Sequence, residues 1–218
     1  MIELNILIIG PAACGKGTLC KKLSNEFGYK HVSTGDIFRA EIATGSEKGK
    51  IIAEFINQGK LAPSDILIDT MKEFLSRPEN KDNMLLDGFG KTLEEAIELD
   101  NFYKVDKVIY LQGDYETLVK RVLKRRICPE CGLITTTDEV QNGICPKCKT
   151  QLVTRADDSE FVYKTRYSVF QNQTLPIVDY FKSKNKLVTI DANQSSEKVY
   201  SEVLKKIGKN NNEILENY

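Results

Sequence analysis

The sequence predicts an α/β fold, a doubly wound parallel sheet flanked by helices. Three observations carry that expectation. Short apolar runs at 6–9, 84–86, 107–111 and 187–190 alternate with stretches of helical periodicity. The first run, Ile6-Leu7-Ile8-Ile9, enters the glycine-containing stretch Gly10-Pro11-Ala12-Ala13-Cys14-Gly15-Lys16-Gly17-Thr18. A helical pattern with Leu19, Leu23 and Phe27 on one face follows it. The run Met84-Leu85-Leu86 ends on an acid, Asp87, just before a second glycine-containing loop.

Strand, G-x-x-x-x-G-K-x-T and helix together form the context of a phosphate-binding P-loop. Glycines let the backbone curl so that consecutive N–H groups face one anion. The helix starting near Lys16 adds its positive dipole end to that anion. Lys16 brings a point charge for the β- and γ-phosphates, and the Thr18 hydroxyl can meet Mg²⁺. A strand ending in Asp87 beside such a loop reads as a Walker B acid, holding Mg²⁺ directly or through water.

The remaining elements follow in order. A short strand at His31-Val32-Ser33 precedes a helix starting at Thr34 or Asp36, with Ile37, Phe38 and Ile42 apolar. Gly45-Ser46 breaks the pattern before a helix from about Glu47 to Asn57. Gly59 to Pro63 is a loop, and Ser64 is expected to cap a helix reaching about Leu75. After the loop Gly88-Phe89-Gly90-Lys91, residues Thr92 to Leu99 are helical and Lys107 to Leu111 form a core strand. A helix from Asp114 to Lys124 runs into Arg125-Arg126. A long helix spans about Asp158 to Phe181, with Pro176 expected to kink it. Leu187 to Ile190 is the last strand and Ser195 to Ile207 the last helix. The polar tail from Lys209 onward is expected to fray.

Lysine plus arginine matches aspartate plus glutamate at 31 each, in 218 residues. That balance argues against a general nucleic-acid binder, which needs a basic face. Met1-Ile2-Glu3-Leu4 lacks a basic segment, and no apolar stretch approaches membrane-spanning length. A cytoplasmic protein without membrane or nucleic-acid partners is expected.

Disulfides are rare in that compartment, so the six cysteines need another explanation. Cys128-Pro129-Glu130-Cys131 and Cys145-Pro146-Lys147-Cys148 are paired C-x-x-C knuckles, with residues 132–144 between them. Four thiolates at these spacings suit tetrahedral zinc better than disulfides or loose thiols, and a full thiolate set makes the metal structural. Cys14 and Cys20 read as small packing residues beside the P-loop helix. His31, the one histidine, reads as structural.

Together these pieces resemble the adenylate kinase family in its long form with a zinc-bearing lid. The resemblance runs from Ile6 to Ile207. It rests on Gly10 to Thr18, Ser33-Thr34-Gly35-Asp36, Arg39, Gly59-Lys60-Leu61, Leu86-Asp87-Gly88-Phe89, Arg121, Arg125-Arg126, the cysteine quartet, Arg155-Ala156-Asp157-Asp158, Arg166 and Ile190-Asp191. It implies a P-loop nucleoside-monophosphate kinase fold, with a five-stranded parallel sheet, a small helical NMP-binding lobe and a zinc-ribbon lid. The implied boundaries are 1–32, 64–125 and 164–218 for the core, 33–63 for the lobe and 126–163 for the lid. The implied chemistry is in-line transfer from MgATP to a monophosphate, AMP first, by a monomer.

The resemblance also implies roles for residues. Gly10, Ala13, Cys14, Gly15, Lys16, Gly17 and Thr18 would cradle the ATP phosphates. Arg121, Ile134, Thr135 and Gln194 would border the ATP base, and Arg125 would meet its phosphates. Thr34, Gly35, Lys60, Leu61, Ala62, Gly88, Phe89, Gly90 and Glu95 would frame the acceptor. Arg39, Lys91, Arg155 and Arg166 would surround the transferring group, with Asp87 at Mg²⁺. Transfer of this kind needs placement and cations more than covalent help.

Four positions depart from the family pattern. A usual P-loop glycine is Ala13, the usual Pro-Arg after D-G-F is Gly90-Lys91, a glutamine that reads adenine is Glu95, and a common lid aromatic is Thr135 or a neighbour. These leave open a kinase for GMP or CMP, or a weakly active nucleotide-binding or sensing protein. A zinc-ribbon nucleic-acid module on an NTPase is opposed by the charge balance and by Asp157, Asp158 and Glu160. Restoring proline and arginine at 90 and 91 is expected to raise kcat, and Glu95→Gln to lower the KM for AMP.

Overall fold

The structure, a computed structural model, describes residues 4–140 and 142–209; the readings at the first three residues and in the tail past Lys209 lie outside these. Among the described residues the central sheet has five strands: β1 (Ile6–Ile9), β2 (Lys30–Ser33), β3 (Met84–Asp87), β4 (Lys107–Gln112) and β7 (Leu187–Asp191). Their order is β2-β3-β1-β4-β7. Every pairing in it is parallel, with Leu7 opposite Leu86 on one side and Val108 on the other. β1 and β3 are buried at every residue, as strands covered on both faces must be.

Two apolar cores follow from that covering. On one face α1 (Lys16–Phe27), α6 (Tyr115–Lys124) and α9 (Ser196–Ile207) bury Leu19, Leu23, Leu118, Val203 and Leu204 against Ile6 and Ile8. On the other, α4 (Ser64–Leu75), α5 (Leu93–Phe102) and α8 (Pro176–Ser183) bury Met71, Leu99 and Phe181 against Leu7 and Leu86. Below the strands, buried Asn5 donates to the carbonyls of Lys81 and Lys104 and accepts from the Met84 N–H.

Two smaller pieces rise above the sheet. α2 (Thr34–Ala43) and α3 (Glu47–Ile56) pack so closely that a Cβ on Gly49 would lie 2.5 Å from the Glu41 carbonyl oxygen. β5 (Arg125–Ile127) and β6 (Ile134–Thr136) form an antiparallel ribbon carrying the cysteines.

The expected long helix is interrupted where the proline signal places a disturbance. α7 (Glu160–Val169) passes into a π segment, Phe170–Thr174, before α8 begins at Pro176. Proline lacks an N–H and crowds the carbonyl four residues back, and the wider π turn absorbs both. One expected cap moves: Pro63 stands at the N-cap of α4, while Ser64 is the first helical residue and turns its hydroxyl elsewhere.

Candidate active site

A cleft of about 1240 Å³ opens where β1 and β3 end. Among the described residues, every position assigned from sequence to ATP, acceptor or transfer lines it, apart from Glu95.

The P-loop forms its first wall. Gly10 has φ 153, and a Cβ there would stand 2.6 Å from the Leu111 carbonyl oxygen and 2.7 Å from Cys14 Sγ. Only glycine fits. Gly15 precedes α1 at φ 100, and among the described residues no side chain caps this helix and no acid sits in its first turn. Its leading N–H groups therefore remain available to an anion. Lys16 Nζ donates to the carbonyls of Gly10 at 2.9 Å and Pro11 at 3.0 Å, which holds it over the loop. Ala13 adopts φ 63, a left-handed conformation that costs a non-glycine residue about 1–2 kcal/mol.

Asp87 is buried at the end of β3, and His31 Nε2 stands 3.8 Å from its Oδ2. Burial works to raise the carboxyl pKa, but His31, Lys16 and Lys91 outweigh it and the net shift is downward. The acid stays ionised.

The cations converge from separate elements, and three of four arginines already hold carboxylates. Arg125 grips Asp158 with both prongs, Nε to Oδ2 at 2.7 Å and a terminal nitrogen to Oδ1. Arg166 pairs with Asp157, and Arg39 with Asp36. Arg155 has no ion-pair partner among the described residues. Its pKa is pushed down to about 10, first by burial and then by Arg125 and Arg39, with Asp157 and Asp158 partly opposing. Four positive groups thus face a space suited to a polyphosphate. In the sequence Asp157 and Asp158 stand in the motif Arg155-Ala156-Asp157-Asp158 and as acidic residues near the cysteines, without being assigned as partners of Arg166 and Arg125.

Arg121 donates to the carbonyls of Ala192 (2.7 Å), Asn193 (3.2 Å) and Gln194 (3.1 Å). It fixes the loop between β7 and α9 that carries Gln194 to the cleft.

The opposite wall is the loop from Gly88 to Lys91. Thr34 Oγ1 donates to the Gly88 carbonyl at 2.8 Å. Glu95 departs from its expected place: it is fully buried beneath this loop. Its Oε2 accepts from the backbone N–H groups of Lys91 (2.7 Å) and Thr92 (3.1 Å), and its Oε1 from the Ser64 hydroxyl (2.8 Å). Thr92 Oγ1 accepts from the Glu95 N–H, completing a capping box. A carboxylate with all this occupied under the wall does not face a base, so the ground for expecting Glu95→Gln to change the KM for AMP is removed.

Gly90 also corrects an expectation. Its φ is 58, and a Cβ would stand 3.0 Å from Ala96 Cα. Proline is locked near φ −65° and cannot enter this loop. Lys91 is half-buried as a residue, but its ammonium is enclosed, and its pKa is pushed down to about 8. Burial is the main cause, Lys16 and Arg166 add to it, and Glu95 and Asp87 partly oppose it.

The cysteine ribbon stands over the P-loop. The Lys21 ammonium donates to the Gly132 carbonyl, and Ile134 Cδ1 lies 4.0 Å from where a Cβ on Gly17 would be. Thr135 is buried and donates to Glu139 at 2.8 Å. The four sulfurs of Cys128, Cys131, Cys145 and Cys148 all lie within 4.8 Å of one another, with pairs at 3.2 and 3.6 Å. Zinc–sulfur bonds of about 2.3 Å in a tetrahedron place sulfurs about 3.8 Å apart. The donor set fits zinc, and its closed shell leaves no position for catalysis.

Among the described residues no helix is long and apolar enough to cross a membrane.

A family model described as adenylate kinase matches residues 8–186. The adenylate kinase of Thermosipho melanesiensis is 38% identical over 210 residues, covering 92% of this chain and 98% of the relative. That of Fervidobacterium nodosum is 37% identical over 205 residues, covering 90% and 94%. That of Thermoanaerobacter sp. is 34% identical over 213 residues, covering 94% and 98%. With the parallel five-stranded sheet, the P-loop and the four-cysteine cluster already in place, these matches settle the identification: the chain belongs to the adenylate kinase family.

Proposed function

We propose that the protein transfers the terminal phosphoryl group of MgATP to AMP, giving two ADP. The observation that carries this reading is the convergence of Lys16, Lys91, Arg39, Arg125, Arg155 and Arg166 on one cleft beside the ionised Asp87.

In this reading the uncapped start of α1 and Lys16 hold the ATP phosphates, while Arg121 and Gln194 border its base with Ile134 and Thr135. Thr34, Lys60, Leu61, Ala62 and the Gly88–Gly90 loop frame the acceptor. Arg39, Lys91, Arg155 and Arg166 place the two phosphates in line and spread charge over the transferring group. Asp87 would hold water ligands of Mg²⁺, which when bound neutralises phosphate charge. Zinc in the quartet would serve only to fold the lid. The lobe at 33–63 and the lid at 126–163 close on the core and exclude water. A monomer in the cytoplasm suffices for this chemistry.

With Glu95 engaged at a helix start, nothing in the acceptor wall favours GMP or CMP over AMP. A coupled assay of ATP with AMP, GMP, CMP, UMP and dAMP tests the reading. Turnover fastest with AMP is expected. Equal or faster turnover with GMP or CMP, or none with any acceptor, overturns it.

A further inference from the structure

Beneath the P-loop three side chains of different chemistry meet. Cys20 comes from α1, His31 from β2 and Asp87 from the end of β3. A sulfur, a ring nitrogen and a carboxylate oxygen all lie within 4.8 Å of one another. Cys20 is fully buried, whereas His31 and Asp87 line the cleft. His31 Nε2 is shielded from solvent and has no hydrogen-bond partner among the described residues. Leaving such an atom unsatisfied costs on the order of 1–3 kcal/mol. The phosphotransfer reading gives Cys20 no role, and His31 only that of a neighbour that helps keep Asp87 ionised.

We propose that Cys20, His31 and Asp87 form a second transition-metal site, distinct from the lid quartet, that takes Zn²⁺ or Co²⁺ entering through the cleft. One thiolate, one imidazole and one carboxylate suit a borderline-soft divalent ion, whereas hard Mg²⁺ prefers oxygen ligands. Three protein ligands leave a fourth position, on the cleft side, for water or a phosphate oxygen. Bonds of about 2.0–2.3 Å place ligand atoms about 3.3–3.8 Å apart, so the trio would draw in by up to about 1.5 Å. The Cys20 proton leaves to solvent as the sulfur–metal bond forms. Burial, reinforced by Asp87, keeps the thiol protonated until then. An occupied site turns Asp87 away from the Mg²⁺ of MgATP, so zinc should inhibit; this consequence rests on the role proposed for Asp87 above.

The test uses the zinc-loaded full chain dialysed against Co²⁺, with metal content read by elemental analysis. About two metal ions per chain are expected for wild type and about one for Cys20→Ala and for His31→Gln. Affinity for the second ion should fall by more than the roughly 10- to 100-fold that loss of an outer-sphere partner costs. Added Zn²⁺ should inhibit wild type and spare Cys20→Ala, whose turnover before extra Zn²⁺ is added matches wild type. A single metal in wild type overturns the site, as does a second metal retained by both variants. If one variant fails to fold, the other decides. Two metals in wild type with equal zinc inhibition in wild type and Cys20→Ala overturns the link to Asp87 and leaves the site standing. Failure of the phosphotransfer reading shows instead as absent turnover before zinc is added.

Discussion

Two loops side by side join a buried parallel strand to a helix, and they solve the helix start in opposite ways. After β1 the P-loop delivers α1 without a side-chain cap and without an acid in its first turn. After β3 the Gly88–Lys91 loop delivers α5 with a complete capping box and with Glu94 and Glu95 in its first turn. The first helix start keeps its N–H groups and positive dipole end for an arriving anion; the second satisfies them internally. The phosphate site is therefore where the sequence withholds a cap. The acceptor wall is where it supplies one and presents a lysine instead.

The largest effect that would sharpen this contrast is Lys16→Ala. Loss of one preorganised donor at developing charge costs about 100- to 1000-fold in kcat. The melting temperature should stay near wild type, and a kcat within twofold of wild type would break the contrast. The mirror experiment is Glu95→Ala, which strands the Ser64 hydroxyl and two backbone N–H groups. A loss of about 3 kcal/mol in urea unfolding is expected, with the KM for ATP unchanged. Glu95→Gln keeps the box, since an amide can accept from the two N–H groups and donate to Ser64, so it costs about 1 kcal/mol or less. Its KM for AMP should match wild type.

Next comes Lys91, with a folded pKa of about 8 against an ordinary 10.5. The ammonium is charged below that pH and lost above it, so kcat/KM for AMP should decline above about pH 8. Lys91→Arg should hold its plateau to higher pH. Because the folded pKa lies below the unfolded one, the unfolded chain binds more protons between about 8 and 10.5. This group therefore makes stability rise with pH across that window, and Lys91→Met should flatten the rise. The smallest effect is Ala13→Gly, which relieves a left-handed alanine and should add about 1 kcal/mol of stability, seen as a raised melting temperature. An unchanged or lowered value would mean the loop carries no strain there.

What the sequence makes legible is what its neighbours decide. The P-loop, the strand ending in Asp87 and the paired cysteine knuckles are short-range patterns, and each is realised where its spacing puts it. Pro176 signalled a disturbance, though not that a π turn would absorb it. The placement of Glu95 was in part legible, because Thr92-x-x-Glu95 is a capping-box spacing; what the sequence hid was Ser64, 31 residues earlier, which reads by itself as a helix cap. Arg125 and Asp158 lie 33 residues apart, so their pairing depends on how the chain between them folds back. Gly90 read only as a departure from the family's proline, but its positive φ makes it a fitted turn residue.

The arginine–aspartate pairs give substrate capture the character of an ion exchange. On the proposed reading Arg125, Arg166 and Arg39 would each relinquish an aspartate as a phosphate arrives, making the net gain a difference between two anions rather than one new attraction. Affinity for the ATP and AMP pair should then fall less steeply with ionic strength than three bare guanidinium groups would dictate, because added salt loosens the outgoing pairs as well as the incoming ones. The same exchange would run backwards after turnover: Asp158, Asp157 and Asp36 would reclaim their arginines and help expel the nucleoside diphosphates.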